Sequence, residues 1–265
     1  MHALRAALVA LTLLASGTAE AGLTRDDIAR ARFTERIGEA LPQDVVLREV
    51  DGTPRDIGTL LGGKPALVLF LDYTCTTLCG VAVSALADAL THVPFRQDAD
   101  YRVLVVGFNP ADGLAQAAAF RDAHVGATGF AAKAHFLSGT PEAVGRITAA
   151  AGLAAPYDAE HRQFAHPFGV LLVTPAGRIA RYLDPLALTP FDLRLALAEA
   201  DDGRFVTAAD RLALLCYGWD AVTGVHTLAI RRILAAACLL TAFTVAAAVA
   251  FGFWRERRSL ELSRE

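Results

Sequence analysis

One unbroken apolar run constrains most of what this chain can fold into. Residues 65–71, PALVLFL, carry no charge and no side-chain hydrogen-bonding group. A run this short fits a strand buried on both faces better than a helix, which needs more residues. Strands buried on both faces belong to parallel sheets covered by helices. Asp72 and Tyr73 end the run, TCTTLCG follows, and VAVSALADALTHV (81–93) then has helical spacing. The pattern predicts a strand over 65–73 that runs directly into a helix.

The neighbouring segments repeat this alternation. Val45–Val50 reads as a short strand before the turn signal Asp51-Gly52, and Asp56–Leu61 as a helical turn closed by Gly62-Gly63. Arg102–Phe108 is a second buried strand, ended by Asn109-Pro110, with a helix following over Leu114–Ala123. Ala134–Leu137 is a strand. Pro141–Ala151 is a helix, with Thr140 as N-cap and Pro141 at its first position. Phe168–Val173 and Arg178–Leu183 form a hairpin around Thr174-Pro175-Ala176-Gly177, and Leu193–Ala200 closes as a helix. The order β–α–β–α–β–α–β–β–α implies an α/β fold with a central mixed sheet. A hairpin followed by a helix is the end of a thioredoxin-like fold. Residues 22–40 read as a lead-in, helical or loose.

Composition places further segments outside that domain. The chain has 265 residues, a net charge of −3 and 54% hydrophobic residues. Its mean hydropathy is +0.38. Soluble domains run to about 45–50% apolar, so the excess belongs to particular stretches. Residues 1–21, MHALRAALVALTLLASGTAEA, have one Arg before a short apolar core and an A-x-A site, the pattern of a secretory signal peptide. Ile233–Trp254 is uncharged and long enough to span a bilayer, with Arg231, Arg232, Arg255, Arg257 and Arg258 flanking it. The expected organisation is signal peptide 1–21, thioredoxin-like domain 22–205, membrane-proximal connector 206–230, transmembrane helix 231–254 and cytoplasmic tail 255–265. The body is then exported to the periplasm and held at a bacterial inner membrane, where cysteines can pair. A net charge near zero gives no reason to expect a nucleic-acid partner.

The sulfur inventory limits the chemistry. There are four cysteines, and the only methionine is Met1. No thioether metal site is available, so soft-metal chemistry falls to Cys and His. Cys75 and Cys79 form C-x-x-x-C at the strand-to-helix junction. This spacing puts both side chains on one face of a helical turn. A helix N-terminus lowers thiol pKa, and two thiolates so placed can form a disulfide or clamp a soft ion such as Cu(I). Thioredoxin-type oxidoreductases use C-x-x-C instead. A nearby imidazole would complete a three-ligand site. His166, in FAHPFGVLLV just before the terminal hairpin, is the leading candidate, since that loop faces the cysteine-bearing helix in a thioredoxin-like fold. His161 is a rival. His92, His124 and His135 read as surface residues at element ends. Cys216 is exported and unpaired, and Cys238 lies inside the apolar helix.

Three segments together resemble the SCO (SenC/PrrC-type) family: FLDYTCTTLC at 70–79, HFLSGTPEAVGRIT at 135–148 and AHPFGVLLVTPAGRIARYL at 165–183. The resemblance spans about residues 41–200. It extends into the tail, because one branch carries a CY-rich segment and a C-terminal membrane helix. It implies a thioredoxin-like fold with copper, as Cu(I) or Cu(II), held by Cys75, Cys79 and His166. The implied task is delivering copper to, or reducing thiols of, the CuA centre of cytochrome c oxidase, so the expected partner is the CuA-bearing subunit or another periplasmic copper or thiol protein. Relatives usually have Pro after the cysteines, where this chain has Thr76 and Gly80. They usually read C-Y-H-Y-D before the anchor, where this chain has Cys216-Tyr217-Gly218-Trp219-Asp220.

Three functions remain open on these residues. The first is a copper-binding assembly factor. The second is a thiol–disulfide oxidoreductase in which Cys75 and Cys79 cycle as a redox pair. The third is a copper or redox sensor. The C-x-x-x-C spacing and His166 favour the first, and the short tail gives a sensor little to signal with.

Overall fold

The computed structural model describes residues 30–76, 78–158, 163–201, 217–220, 225–228 and 230–262. The signal peptide, His161 and Cys216 lie outside the described residues. The chain divides into two compact units, Met1–Asp202 and Gly203–Glu265.

The first unit begins with β1 (Arg32–Phe33), β2 (Val46–Glu49) and β3 (Pro54–Asp56), then α1 (Ile57–Leu61) and β4 (Ala66–Leu71). Next come α2 (Cys79–Thr91), β5 (Arg102–Gly107), α3 (Leu114–His124), β6 (His135–Ser138) and α4 (Pro141–Ala150). The short strands β7 (Leu153–Ala154), β8 (Tyr157–Asp158) and β9 (Gln163–Phe164) precede the hairpin β10 (Val170–Val173) and β11 (Ile179–Leu183), and α5 (Pro190–Ala200) closes the unit.

Seven strands form the main sheet in the order β11-β10-β4-β5-β6-β2-β3. β4, β5 and β6 are parallel, while β10 and β2 join them antiparallel on either side. This is the mixed sheet of a thioredoxin-like α/β fold. Every residue of β4 and β10 is buried, as the unbroken apolar runs require. Alternation sorts them by face: Ala66, Val68 and Phe70 join Leu104, Val106, Leu171 and Val173 in one core cluster, closed by Leu60, Leu61 and Ile147.

Local chemistry explains where elements begin. Thr140 caps α4 by accepting the Ala143 N–H at 3.2 Å, with Pro141 following, as the sequence predicts. Two features went unread. α5 starts at Pro190, three residues before the expected Leu193, because Thr189 and Asp192 form a capping box. Pro54 and Arg55 belong to β3, which tolerates a proline because it is the outermost strand of the sheet. The lead-in is loose over 31–40, where only β1 is regular and pairs with β7.

The second unit holds the antiparallel pair β12 (Tyr217–Asp220) and β13 (Val225–Leu228), then α6 (Ile230–Leu262). Among the described residues no helix is long and apolar enough to cross a membrane. The expected span 231–254 lies within α6, but the side chains of 231–234, 236 and 253 are outside the described residues. Those of Leu239, Leu240, Phe243, Val249, Phe251 and Trp254 are exposed.

Candidate metal and thiol site

β4 delivers the chain to the site. Its end, Asp72-Tyr73, is buried, and Cys75 emerges half-buried on the turn beyond. Thr76 and Leu78 are exposed, and Thr77 lies outside the described residues. Cys79 is the first residue of α2 and is fully buried. Both cysteines are free thiols.

The hairpin strand β10 supplies the third group. His166 lies in the loop leading to it, and its Nε2 stands 3.2 Å from the Cys79 sulfur. Its Nδ1 lies 3.2 Å from the Pro167 carbonyl. A carbonyl can only accept, so this contact puts the proton on Nδ1 and leaves the Nε2 lone pair facing the sulfur. The ring is held edge-on by Phe108, with centroids 4.9 Å apart, and touches Phe168 at 5.3 Å. Phe108 also packs edge-on against Phe164 at 5.6 Å.

The Cys79 thiol also hydrogen-bonds with Cys75, and this contact together with burial pushes its pKa up. The expectation that a helix N-terminus lowers the thiol pKa is therefore reversed at Cys79. Its sulfur is dry and beside a second sulfur, which penalises the thiolate more than the helix end favours it. The contacts run in series, Cys75 to Cys79 to His166. Among the described residues no three His, Cys, Asp or Glu side chains are gathered as a closed metal cluster. In donor chemistry the set is two soft sulfurs and one imidazole, which suits a soft, low-coordinate ion and suits zinc poorly.

The other sequence candidates separate. His92 is exposed at the end of α2. His135 is not a plain surface residue, because its Nδ1 pairs with Glu49 at 3.1 Å. His124 lies against the α2 backbone: a Cβ on Gly80 would fall 2.2 Å from its Cε1. Cys238 is exposed on α6.

Residues that sequence reading passed over hold the cysteine loop in place. Asp72 Oδ1 accepts from the Thr74 N–H (2.9 Å), the Thr74 hydroxyl (2.6 Å) and the Asn109 amide (3.1 Å). Asp112 Oδ2 accepts the Tyr73 N–H at 3.1 Å. One signal was available: a carboxylate closing a buried apolar run must find donors inside the protein.

Two cavities lie nearby. One of about 280 Å³ runs beside Phe108, Pro141, Val144 and Phe164. A larger one of about 530 Å³ is lined by Asp112, Ser138 and Arg48, and contains neither cysteine nor His166.

The family model of SCO1/SenC matches residues 43–196, more than half of the chain. The chain belongs to the SCO1/SenC family. No curated protein matches it. Among solved structures, it is similar to an Aquifex aeolicus VF5 protein described as an electron transfer protein. That match has 20% identity and a TM-score of 0.58, and it covers 64% of this chain and 98% of that one. BsSco is a member of the Sco family of cytochrome c oxidase assembly proteins in which a disulfide switch was identified. It matches at 18% identity and TM-score 0.51, covering 65% and 98% of the two chains. Arabidopsis thaliana ScoI, with copper bound, matches at 17% identity and TM-score 0.50, covering 62% and 98%. At these identities the likeness is one of fold, and the family assignment rests on the matched model.

Proposed function

We propose that this SCO1/SenC family member is an exported, membrane-anchored copper-binding protein that serves assembly of the CuA centre of cytochrome c oxidase. The observation that carries the reading is the 3.2 Å approach of His166 Nε2 to the Cys79 sulfur, across 87 positions of sequence. It joins the C-x-x-x-C pair to an imidazole whose free lone pair points at the thiols. Copper is the cargo. Cys75 and Cys79 supply thiolates, His166 supplies Nε2, and the Pro167 carbonyl fixes the tautomer that leaves Nε2 free. Half-buried Cys75 is the ligand an incoming acceptor can reach first, and buried Cys79 the one released last. The copper-bound ScoI and the cytochrome c oxidase assembly role named for BsSco support this choice of cargo and partner.

The proposed organisation remains a signal peptide at 1–21, a domain at 22–205, a connector at 206–230, a transmembrane helix at 231–254 and a cytoplasmic tail at 255–265. Its support is the uncharged run Ile233–Trp254 with arginines at both ends, and the exposed apolar side chains on α6.

A second reading has its own observation. The hydrogen bond between Cys75 and Cys79 places the two thiols for oxidation to a disulfide, so the same pair can serve thiol–disulfide exchange. One experiment separates the two. The full-length chain, reduced and in detergent, is titrated with Cu(I) against a chromophoric chelator. One Cu(I) per chain is expected, lost in Cys75→Ser and Cys79→Ser and weakened in His166→Ala. Wild-type affinity in His166→Ala removes the three-ligand site. Rapid reduction of a disulfide substrate without copper retention moves the function to the second reading.

A further inference from the structure

The loop between β5 and α3 makes a second set of contacts that the proposed site does not use. Asn109 donates its side-chain amide to Asp72 Oδ1 and to the Thr74 hydroxyl, both at 3.1 Å. Three residues on, Asp112 accepts the Tyr73 N–H. Asn109 and Asp112 are tied to each other, since the Asp112 N–H donates to the Asn109 carbonyl at 2.8 Å. Asn109 is itself oriented by accepting the Ala111 N–H at 2.9 Å. One short turn therefore grips three consecutive residues, Asp72, Tyr73 and Thr74. Cys75 is the next residue, and its N–H donates to the Asp72 carbonyl at 3.1 Å.

Tyr73 makes the grip rigid. Its ring lies between Phe120 and Phe136, with centroids 5.4 and 6.5 Å away. Its hydroxyl is 2.8 Å from the Val105 carbonyl and accepts the Leu137 N–H at 3.2 Å. The fit leaves no spare room: a Cβ on Gly107 would come within 2.5 Å of the Tyr73 ring and 3.0 Å of Asp112 Cβ.

The clasp is costly to build. Asp72 and Asp112 are 1% and 5% exposed, and among the described residues Asp72 Oδ2 and Asp112 Oδ1 are buried without a hydrogen-bond partner. Two nearby buried carboxyl groups, each with one orphan oxygen, destabilise the fold unless they do something for it. Their location is the clue, because their hydrogen bonds hold the three residues that carry the chain from β4 to Cys75.

We infer that Asp112, with Asn109, is a positioning residue for the cysteine loop: it holds the Tyr73 amide and thereby pre-sets the place of Cys75 relative to Cys79 and His166. It touches neither the thiols nor the cargo. Burial, with a smaller contribution from the Asp72 charge, raises its pKa to about 7. The groups that share its surroundings are Asp72 and Tyr73 from the β4 end, with Arg48 of β2 and Glu142 and Arg146 of α4 lining the cavity that Asp112 also lines.

The inference rests on the copper reading for its functional meaning, but its structural content is tested separately. Full-length wild type, Asp112→Ala, Asp112→Asn and Asn109→Ala are compared by amide hydrogen exchange and by Cu(I) competition against bathocuproine disulfonate. In Asp112→Ala, exchange at the Tyr73 amide is expected to accelerate at least tenfold while the Val68 and Phe70 amides keep wild-type protection. Cu(I) affinity should fall by about 10–100-fold, the range for residues that orient metal ligands. Asp112→Asn retains an acceptor oxygen and should restore both readouts. Should Asp112→Ala fail to fold, Asn109→Ala is the second test, with the same loss expected in weaker form from a half-exposed site. Unchanged Tyr73 exchange in the alanine variants overturns the clasp. So does equal acceleration at Val68 and Phe70, which marks a merely global effect. Loss of Cu(I) binding by the wild type itself overturns the copper reading and leaves the exchange data to decide the clasp.

Discussion

The imidazole of His124, at the end of α3, occupies the space that a side chain on Gly80 would need. A Cβ there would lie 2.2 Å from Cε1 and 2.3 Å from Nδ1. The ring is backed by Phe120, with centroids 4.6 Å apart. Gly80 directly follows Cys79, so the α3 terminus packs against the start of the cysteine-bearing helix. Gly80, which stands where relatives usually have Pro, is in the structure a contact surface.

This pair is testable as a cycle. Gly80→Ala alone gains helix propensity of about 1 kcal/mol but must displace the exposed His124 ring. The two effects oppose each other, so near-wild-type stability is expected. In a His124→Ala background the same change should stabilise by about 0.5–1 kcal/mol, because no ring remains to displace. Urea unfolding of the four chains measures the coupling. Additive effects would remove the contact.

Phe108 holds His166 in place. It is 7% exposed and meets both His166 and Phe164 edge-on. Phe108→Ala should cost about 3–5 kcal/mol by denaturant unfolding, the range for a buried phenylalanine. Phe108→Leu should retain most of that stability yet lose the ring edge against the imidazole. Cu(I) affinity should therefore drop in Phe108→Leu by more than its stability loss accounts for. An unchanged affinity would show that Phe168 and the Pro167 carbonyl suffice to fix the ring.

Much of the scaffold was legible because it follows from unbroken apolar runs and caps. PALVLFL fits a buried central strand, and Thr140-Pro141 ahead of a helical pattern fits a helix start. The approach of Cys79 to His166 was legible only through the fold, since nothing local to either residue brings them together. The clasp was not legible. Asp72, Asn109 and Asp112 look like ordinary turn residues, and their role appears only when β4 and β5 pair in parallel and place both strand ends side by side. Pro54 shows the opposite case: a local rule against proline in strands yields at a sheet edge.

Tyr73→Phe tests the inner anchor of that arrangement. The hydroxyl donates within the group of the Val105 and Leu137 carbonyls and accepts the Leu137 N–H, all buried. Its removal leaves Leu137 N–H without that acceptor and should cost about 1–3 kcal/mol. The ring, still packed against Phe120, keeps the loop in place, so Cu(I) stoichiometry should stay at the wild-type value. A stability loss below about 0.5 kcal/mol would mean that the Leu137 amide is satisfied elsewhere.

Asp112 gives the fold a pH dependence with a definite sign. Its pKa is raised from 3.8 to about 7, mainly by burial. Between those values the folded chain keeps a proton that the unfolded chain has lost. The unfolded state therefore binds fewer protons, and stability falls as pH rises. The contribution is fully present below about pH 4 and is lost progressively as pH climbs toward 7, after which the slope flattens. Asp112→Asn cannot titrate, so its stability relative to wild type should increase from pH 4 to pH 7 and stay level above. Denaturant midpoints of the two chains across that range check the prediction. Parallel curves would place the Asp112 pKa at an ordinary carboxylate value and mean that water reaches its orphan oxygen.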